Sequence, residues 1–248
     1  MDFNIEKLKE RAKQVRRDTL KLAGENNGYH LGGSFSATDI MIALYDIVLK
    51  KEDKFILSKG HACFPLYVLL RDQGYNPKIS GHPSIDLENG ISCTTGSLGH
   101  GLPIGTGMAL AKKCKKQEGK IYVLLGDGEC QEGTTWESAL IASHHELDNL
   151  IAIVDYNKIQ GSGKVKNILK MNGLEGMFRA NNWNVIKING HDYSQIIPAL
   201  RNKRYQQPKV IIADTIKGKG VSYMEDKPEW HSRFPNPEQL KQAYEELK

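Results

Sequence analysis

The chain has 248 residues, 40% apolar and 25% charged, and 34 basic against 29 acidic side chains give it a net charge of +5. That length and apolar fraction suit one large α/β domain, residues 1–248. The charge is mild and spread over segments that read as solvated helix faces, such as Arg16-Arg17 and Lys112-Lys113, with no nucleic-acid-binding motif beside them, so nucleic acid is not expected as a partner.

The N-terminus opens directly into a charged amphipathic helix, with Leu8, Ala12, Val15, Leu20 and Leu22 at helical spacing and no signal-peptide stretch. The glycine-rich run Gly24 to Gly33 predicts an interruption that carries Tyr29 and His30 as a loop. Ser36-Ala37-Thr38-Asp39 fits a capping box, which would start a second helix over Ile40 to Leu49. Phe55-Ile56-Leu57 reads as a buried strand, followed by Ser58-Lys59-Gly60-His61 and a helix through Leu70. Residues 74–103 hold many glycines and prolines and little periodicity, the mark of a long functional loop. Helix returns over Gly105 to Cys114. The rest alternates: strand 121–125, helix 134–147, strand 150–154, irregular 157–172, helix 173–181, strand 184–188, helix 193–204, strand 209–213 and a terminal helix over Pro237 to Leu247. Such alternation predicts right-handed crossovers and a doubly wound, mostly parallel sheet with helices on both faces.

No segment reads as the ~20 apolar residues that cross a bilayer, so no membrane association is expected. Cys63, Cys93, Cys114 and Cys130 form no Cys-x-x-Cys pair and lack flanking histidines at zinc spacing. Reduced thiols and a cytoplasmic setting are the expectation.

Ligands of parallel sheets bind beyond the carboxyl ends of the strands. There the sequence places Gly126-Asp127-Gly128-Glu129, after Ile121–Leu125, and Asp155-Tyr156-Asn157-Lys158-Ile159, after a second apolar run. Gly-Asp-Gly alone is more often a plain strand-to-helix turn. With the Asn-Lys-Ile element at this spacing it reads as a magnesium and diphosphate site. Asp127 offers a carboxylate and Asn157 an amide oxygen, and magnesium completes its shell with phosphate and water. Gly126 and Gly128 let the backbone approach the phosphates.

Together with Asn27-Gly28-Tyr29-His30-Leu31-Gly32-Gly33-Ser34, Leu57-Ser58-Lys59-Gly60-His61, Gly81-His82-Pro83, Thr94-Thr95-Gly96-Ser97-Leu98-Gly99, Glu132-Gly133, Lys217-Gly218-Lys219-Gly220 and Trp230-His231, these elements stand in a family's order. Over nearly its whole length the chain resembles the N-terminal, diphosphate-binding half of transketolases, in the form where that half is a separate polypeptide. The resemblance implies thiamine diphosphate and Mg2+ as cofactors, and transfer of a two-carbon ketol unit from a ketose phosphate to an aldose phosphate. It assigns Asp127, Asn157 and the Ile159 carbonyl to the metal. His61, Gly96, Ser97, Leu98, Asp127, Gly128, Glu129, Asn157, Lys217 and His231 fall to the cofactor. His30, His61, His82 and His231 become the catalytic histidines, as imidazoles near neutral pKa can move protons on substrate oxygens. Glu132 matches a glutamate at a subunit interface, although the helix dipole alone also favours an acid there. His144, His145 and His191 have no counterpart and read as structural or exposed.

The family's activating glutamate and part of its sugar site lie on a pyrimidine-binding domain that follows this one in full-length chains. The expected partner is therefore a C-terminal-half transketolase subunit, in an α2β2 assembly. His100, Ser97 and Ser232 depart from the common pattern on the substrate side, and keep open a specialised ketol- or acyl-transferring enzyme. A non-catalytic subunit that retains the fold is the rival of another class.

Overall fold

Alternation of short apolar runs with amphipathic segments produces a parallel sheet covered on both faces. The computed structural model describes residues 3–171, 173–202 and 206–248. In chain order the elements are α1 (Ile5–Glu25), α2 (Leu31–Ile42), β1 (Lys54–Leu57), α3 (Phe64–Asp72), α4 (Gly101–Cys114), β2 (Ile121–Gly126), α5 (Gly133–His144) and β3 (Leu150–Tyr156). There follow β4 (Ile159–Gln160), β5 (Gly163–Lys164), α6 (Val165–Ile168), α7 (Leu174–Ala180), β6 (Asn184–Asn189), α8 (Tyr193–Arg201), β7 (Lys209–Asp214) and α9 (Pro237–Glu246). The five-stranded sheet runs β1-β2-β3-β7-β6, every pair parallel, and β4 with β5 forms a small antiparallel hairpin.

Period-two alternation divides each central strand between two cores. Tyr122, Leu124, Ile151, Ile153 and Ile211 face the layer of α1, α2, α3 and α8. Ile121, Val123, Leu125, Ala152, Val154, Val210 and Ile212 face the layer of α4, α5 and α7. With both faces covered, β2 and β3 are buried almost without a break, which is why they read as plain apolar runs.

Three expectations need correction. The second helix begins at Leu31, not after Ser36, so the expected capping box lies inside α2. Gly32 and Gly33 do not break the helix; they permit close approach. A Cβ on Gly32 would stand 2.8 Å from the Trp230 carbonyl oxygen. Ser36 and Asp39 make tertiary contacts: Ser36 Oγ donates to Asp155 at 2.6 Å, and Asp39 accepts from Arg16 and Tyr193 and pairs with His191. Second, α2 continues as a wider π-turn over Ala43–Val48, and Leu31–Val48 is long and apolar enough by composition to cross a membrane. It is 83% buried among the other elements, as a core helix is. Third, the segment expected to be irregular over 157–172 contains the β4–β5 hairpin and α6. Position 172, positions 203 and 204 of the helix expected over 193–204, and positions 1 and 2 of the N-terminal segment lie outside the described residues. His191 is structural: its Nδ1 is 2.8 Å from Asp39 and its Nε2 accepts from the Ile216 amide. His144 and His145 are exposed.

Candidate active site

The carboxyl ends of β1, β2 and β3, the start of α2, and the β4–β5 hairpin enclose a cavity of about 480 Å³. Its lining includes His30, His61, His82 and His231, and on its floor Asp127, Gly128, Asn157 and Ile159. Gly96, Leu98, Glu129 and Lys217 also line it, whereas Ser97 and Glu132 do not. Ser97 is exposed, with its hydroxyl 3.4 Å from His100 Nδ1, and Glu132 is exposed at the start of α5.

The histidines form one cluster. The His30 ring centroid lies 5.2 Å from those of His61 and His231 and 6.3 Å from that of His82, and His61 and His231 are 5.1 Å apart. His30 takes the left-handed conformation, φ 63°, at the turn into α2, a strain non-glycine residues adopt mainly where neighbours enforce it. Burial lowers His30 to about 4, with His82 and Lys217 adding to the shift. Burial followed by Lys217 lowers His231 to about 3, and burial with Lys59 holds His61 well below its ordinary value. These three are neutral imidazoles near pH 7.

The floor rests on a buried ion pair between two residues of separate sequence motifs, neither of which has a role assigned from the sequence. Lys59, 1% exposed, donates from Nζ to Asp155 and to the Gly33 carbonyl at 3.0 Å. Asp155, fully buried, also accepts from Ser36 Oγ, Thr215 Oγ1 and Asn157 Nδ2. The only sequence signal is a lysine and an aspartate closing otherwise apolar strands. That network orients Asn157: its amide nitrogen faces Asp155, and its Oδ1 accepts from Ile159 N at 3.1 Å.

Asp127, 2% exposed, accepts from the amides of Gly128 at 2.8 Å and Lys158. Burial, then the neighbouring Asp155 charge, pushes its carboxyl up to about 6. Gly128 lies under Gln160, whose Oε1 would be 2.3 Å from a Cβ there, so the hairpin packs directly on the turn. Glu129 is committed elsewhere: its carboxylate accepts from Ser58 Oγ, Gly99 N and Gly126 N, tying the loop of Gly96 and Leu98 to the strand ends. Lys217 Nζ donates to the Ile159 carbonyl at 3.0 Å and lies 2.9 Å from His231 Nδ1.

This donor set would suit a hard divalent cation bound together with a diphosphate. Residues that offer one buried carboxylate, one amide oxygen and one carbonyl line the same cavity, and among the described residues no group of three or more His, Cys, Asp or Glu side chains forms an all-protein cage.

Residues 9–247 match the family described as "Transketolase, thiamine diphosphate binding domain". A Phocaeicola vulgatus protein, named as a subunit of an apulose-4-phosphate transketolase, is 35% identical over 268 aligned positions, covering 99% of this chain and 95% of its own length. A Clostridium protein, named as a subunit of a 6-deoxy-6-sulfo-D-fructose transketolase, is 36% identical, covering 97% and 96%. Among solved structures, the transketolase of Campylobacter jejuni superposes with a TM-score of 0.89 at 32% identity, over 99% of this chain and 43% of that one. The chain thus spans under half of that solved transketolase and nearly all of its two bacterial subunit relatives. It belongs to the transketolase family, as that family's thiamine diphosphate binding domain.

Proposed function

We propose that the chain is the N-terminal subunit of a split transketolase, which transfers a two-carbon ketol unit from a ketose phosphate to an aldose phosphate with thiamine diphosphate and Mg2+. The observation that carries this reading is the cavity in which four histidines stand over Asp127, Asn157 and Ile159. When bound, thiamine diphosphate supplies the electron sink for breaking and making the carbon–carbon bond.

The chain's own residues then hold and orient. Asp127, Asn157 and the Ile159 carbonyl would hold the metal, and Gly128 would admit the diphosphate to the backbone. Gly96, Ser97 and Leu98 belong to the loop that would contact the cofactor, and Glu129 keeps that loop in place through the Gly99 amide. The neutral rings of His30 and His61 can accept a proton from a sugar hydroxyl, and exposed His82 faces the incoming sugar.

A partner subunit bearing the pyrimidine-binding domain and its activating glutamate completes the site, in an α2β2 assembly. Two observations favour assembly. Relatives of nearly the same length are themselves named as subunits of a transketolase, and α4 and α5 leave Ile104, Leu140 and Ile141 exposed. Four free thiols agree with a cytoplasmic setting. One main sheet through the described residues supports the reading of the chain as a single domain. The names of the relatives also support the second reading, a specialised ketol- or acyl-transferring enzyme.

The test is reconstitution. The chain, mixed with a candidate pyrimidine-domain subunit, thiamine diphosphate and Mg2+, is expected to move a two-carbon unit from fructose 6-phosphate, or another ketose phosphate, to an aldose phosphate. Each subunit alone should be inactive. Absence of any cofactor-dependent stabilisation in the mixture would remove the catalytic reading.

A further inference from the structure

Among the described residues, His231 is the cavity histidine with a ring nitrogen held by a cation. Lys217 is 1% exposed, and its Nζ lies 3.0 Å from the Ile159 carbonyl and 2.9 Å from His231 Nδ1. A carbonyl only accepts, and an ammonium has three N–H donors and no acceptor. The nitrogen facing Lys217 must therefore carry a lone pair. A neutral imidazole has one N–H, so the proton sits on Nε2.

The other edge of the ring is open. Among the described residues Nε2 has no hydrogen-bond partner, and His231 lines the 480 Å³ cavity. The hairpin residue facing that edge is Gly161, where a Cβ would stand 3.4 Å from both Nε2 and Cδ2. A bulkier side chain would cover Nε2. The ring stays neutral, since burial and the Lys217 charge disfavour a second proton.

We infer that Lys217 fixes His231 in the Nε2-protonated tautomer, so that the ring offers an N–H donor to an anionic oxygen held in the cavity. Lys217 is then a positioning residue that acts through His231. His231 is also set apart from the other histidines: its one lone pair is occupied, so it donates and does not act as a base. The tautomer rests on the Lys217 contact and on the neutrality of the ring, whereas the donor role rests on the cofactor-site reading proposed above.

Histidine-labelled chain, studied by ¹⁵N NMR at pH 6.5 without partner or cofactor, tests the tautomer. Nδ1 of His231 is expected at the shift of an unprotonated imidazole nitrogen and Nε2 at that of a protonated one. The preference should be at least about tenfold, the size that a charge-assisted hydrogen bond sustains. Lys217→Met should bring the two tautomers within about threefold of each other, and Lys217→Arg should restore the preference. A proton on Nδ1 in the unmodified chain, or a preference untouched by Lys217→Met, overturns the assignment. Should Lys217→Met fail to fold, the unmodified chain still decides.

A titration with inorganic diphosphate and Mg2+ tests the donor role. The Nε2 proton is expected to move downfield as the cavity signals respond. Cavity signals that move while Nε2 stays fixed overturn the donor role alone. No response anywhere in the cavity at millimolar diphosphate overturns the cofactor-site reading and the donor role with it, and leaves the tautomer result to stand by itself.

Discussion

Asp127 and Asp155 close neighbouring strands, are both buried, and differ in what meets their charge. Asp155 faces the Lys59 ammonium and accepts three further hydrogen bonds, from Ser36, Asn157 and Thr215. Burial would raise its carboxyl, but Lys59 and these donors more than offset that and hold it below the usual carboxylate range. Asp127 accepts from two backbone amides, pairs with no side-chain cation among the described residues, and is pushed up to about 6. One carboxylate is satisfied by the fold, and the other retains an electrostatic demand that the proposed cation would meet. The difference separates a support from a site, although one strand spacing lies between them.

The comparison can be broken most forcefully at the support. Lys59→Met leaves Asp155 buried without its counter-ion, and a loss of about 3–5 kcal/mol is expected in urea denaturation. A loss under about 1 kcal/mol would mean that the hydrogen bonds alone satisfy Asp155. At the site the same kind of change should spare the fold. Asp127→Ala is expected to alter the stability of the ligand-free chain by no more than about 1 kcal/mol. It should remove the stabilisation by thiamine diphosphate and Mg2+, about 2.7 kcal/mol at a hundred times the dissociation constant. Calorimetry with and without ligands, in the presence of the partner, measures both.

Acidity sharpens the contrast. Asp127 takes up a proton near 6, and a protonated carboxyl is a poor metal ligand, so magnesium-dependent stabilisation should fade as the pH falls through about 6. The histidines act on the fold itself with a definite sign. Their folded values, about 4 for His30 and about 3 for His231, lie below the unfolded value near 6.5. Between those limits the unfolded chain binds more protons, so their contribution is present above about 6.5 and is lost as the pH falls towards 3. A metal-free melting series over pH 4–7 should show that decline; a rise in stability on acidification would mean that Asp127, whose raised value acts in the opposite sense, dominates. The smallest effect is expected at Gly161→Ala, whose methyl would sit 3.4 Å from the His231 ring. Steady-state kinetics of the complex should show roughly a fivefold loss, equivalent to about 1 kcal/mol, with the melting temperature nearly unchanged.

The strands and the floor of the site are legible in the sequence because their signals are local. A run of apolar residues followed by Gly126-Asp127-Gly128 or Asp155-Tyr156-Asn157 names both a strand and what it presents at its end. Contacts between distant positions are not legible. Lys59 meets Asp155 across 96 positions, and nothing beside either residue announces the other. The start of α2 is obscured for a related reason. Ser36 and Asp39 have the pattern of a helix cap, but the fold uses their oxygens across the core, on Asp155, Arg16 and Tyr193. Glu129 has the place of a residue in a phosphate-binding turn, and its carboxylate instead accepts from two backbone amides, of Gly99 and Gly126, and from the Ser58 hydroxyl.

The sheet register has a last consequence. Gly126 pairs with Asp155, and Tyr156 with Asp214, so Asp127, Asn157 and Thr215 each stand one step beyond adjoining rungs of one ladder. Adjacent strands are spaced by their backbone hydrogen bonds at about 4.8 Å. That spacing acts as a ruler built from main chain alone. On the proposed reading, substitutions on the substrate side would leave the marks of the ruler where they are.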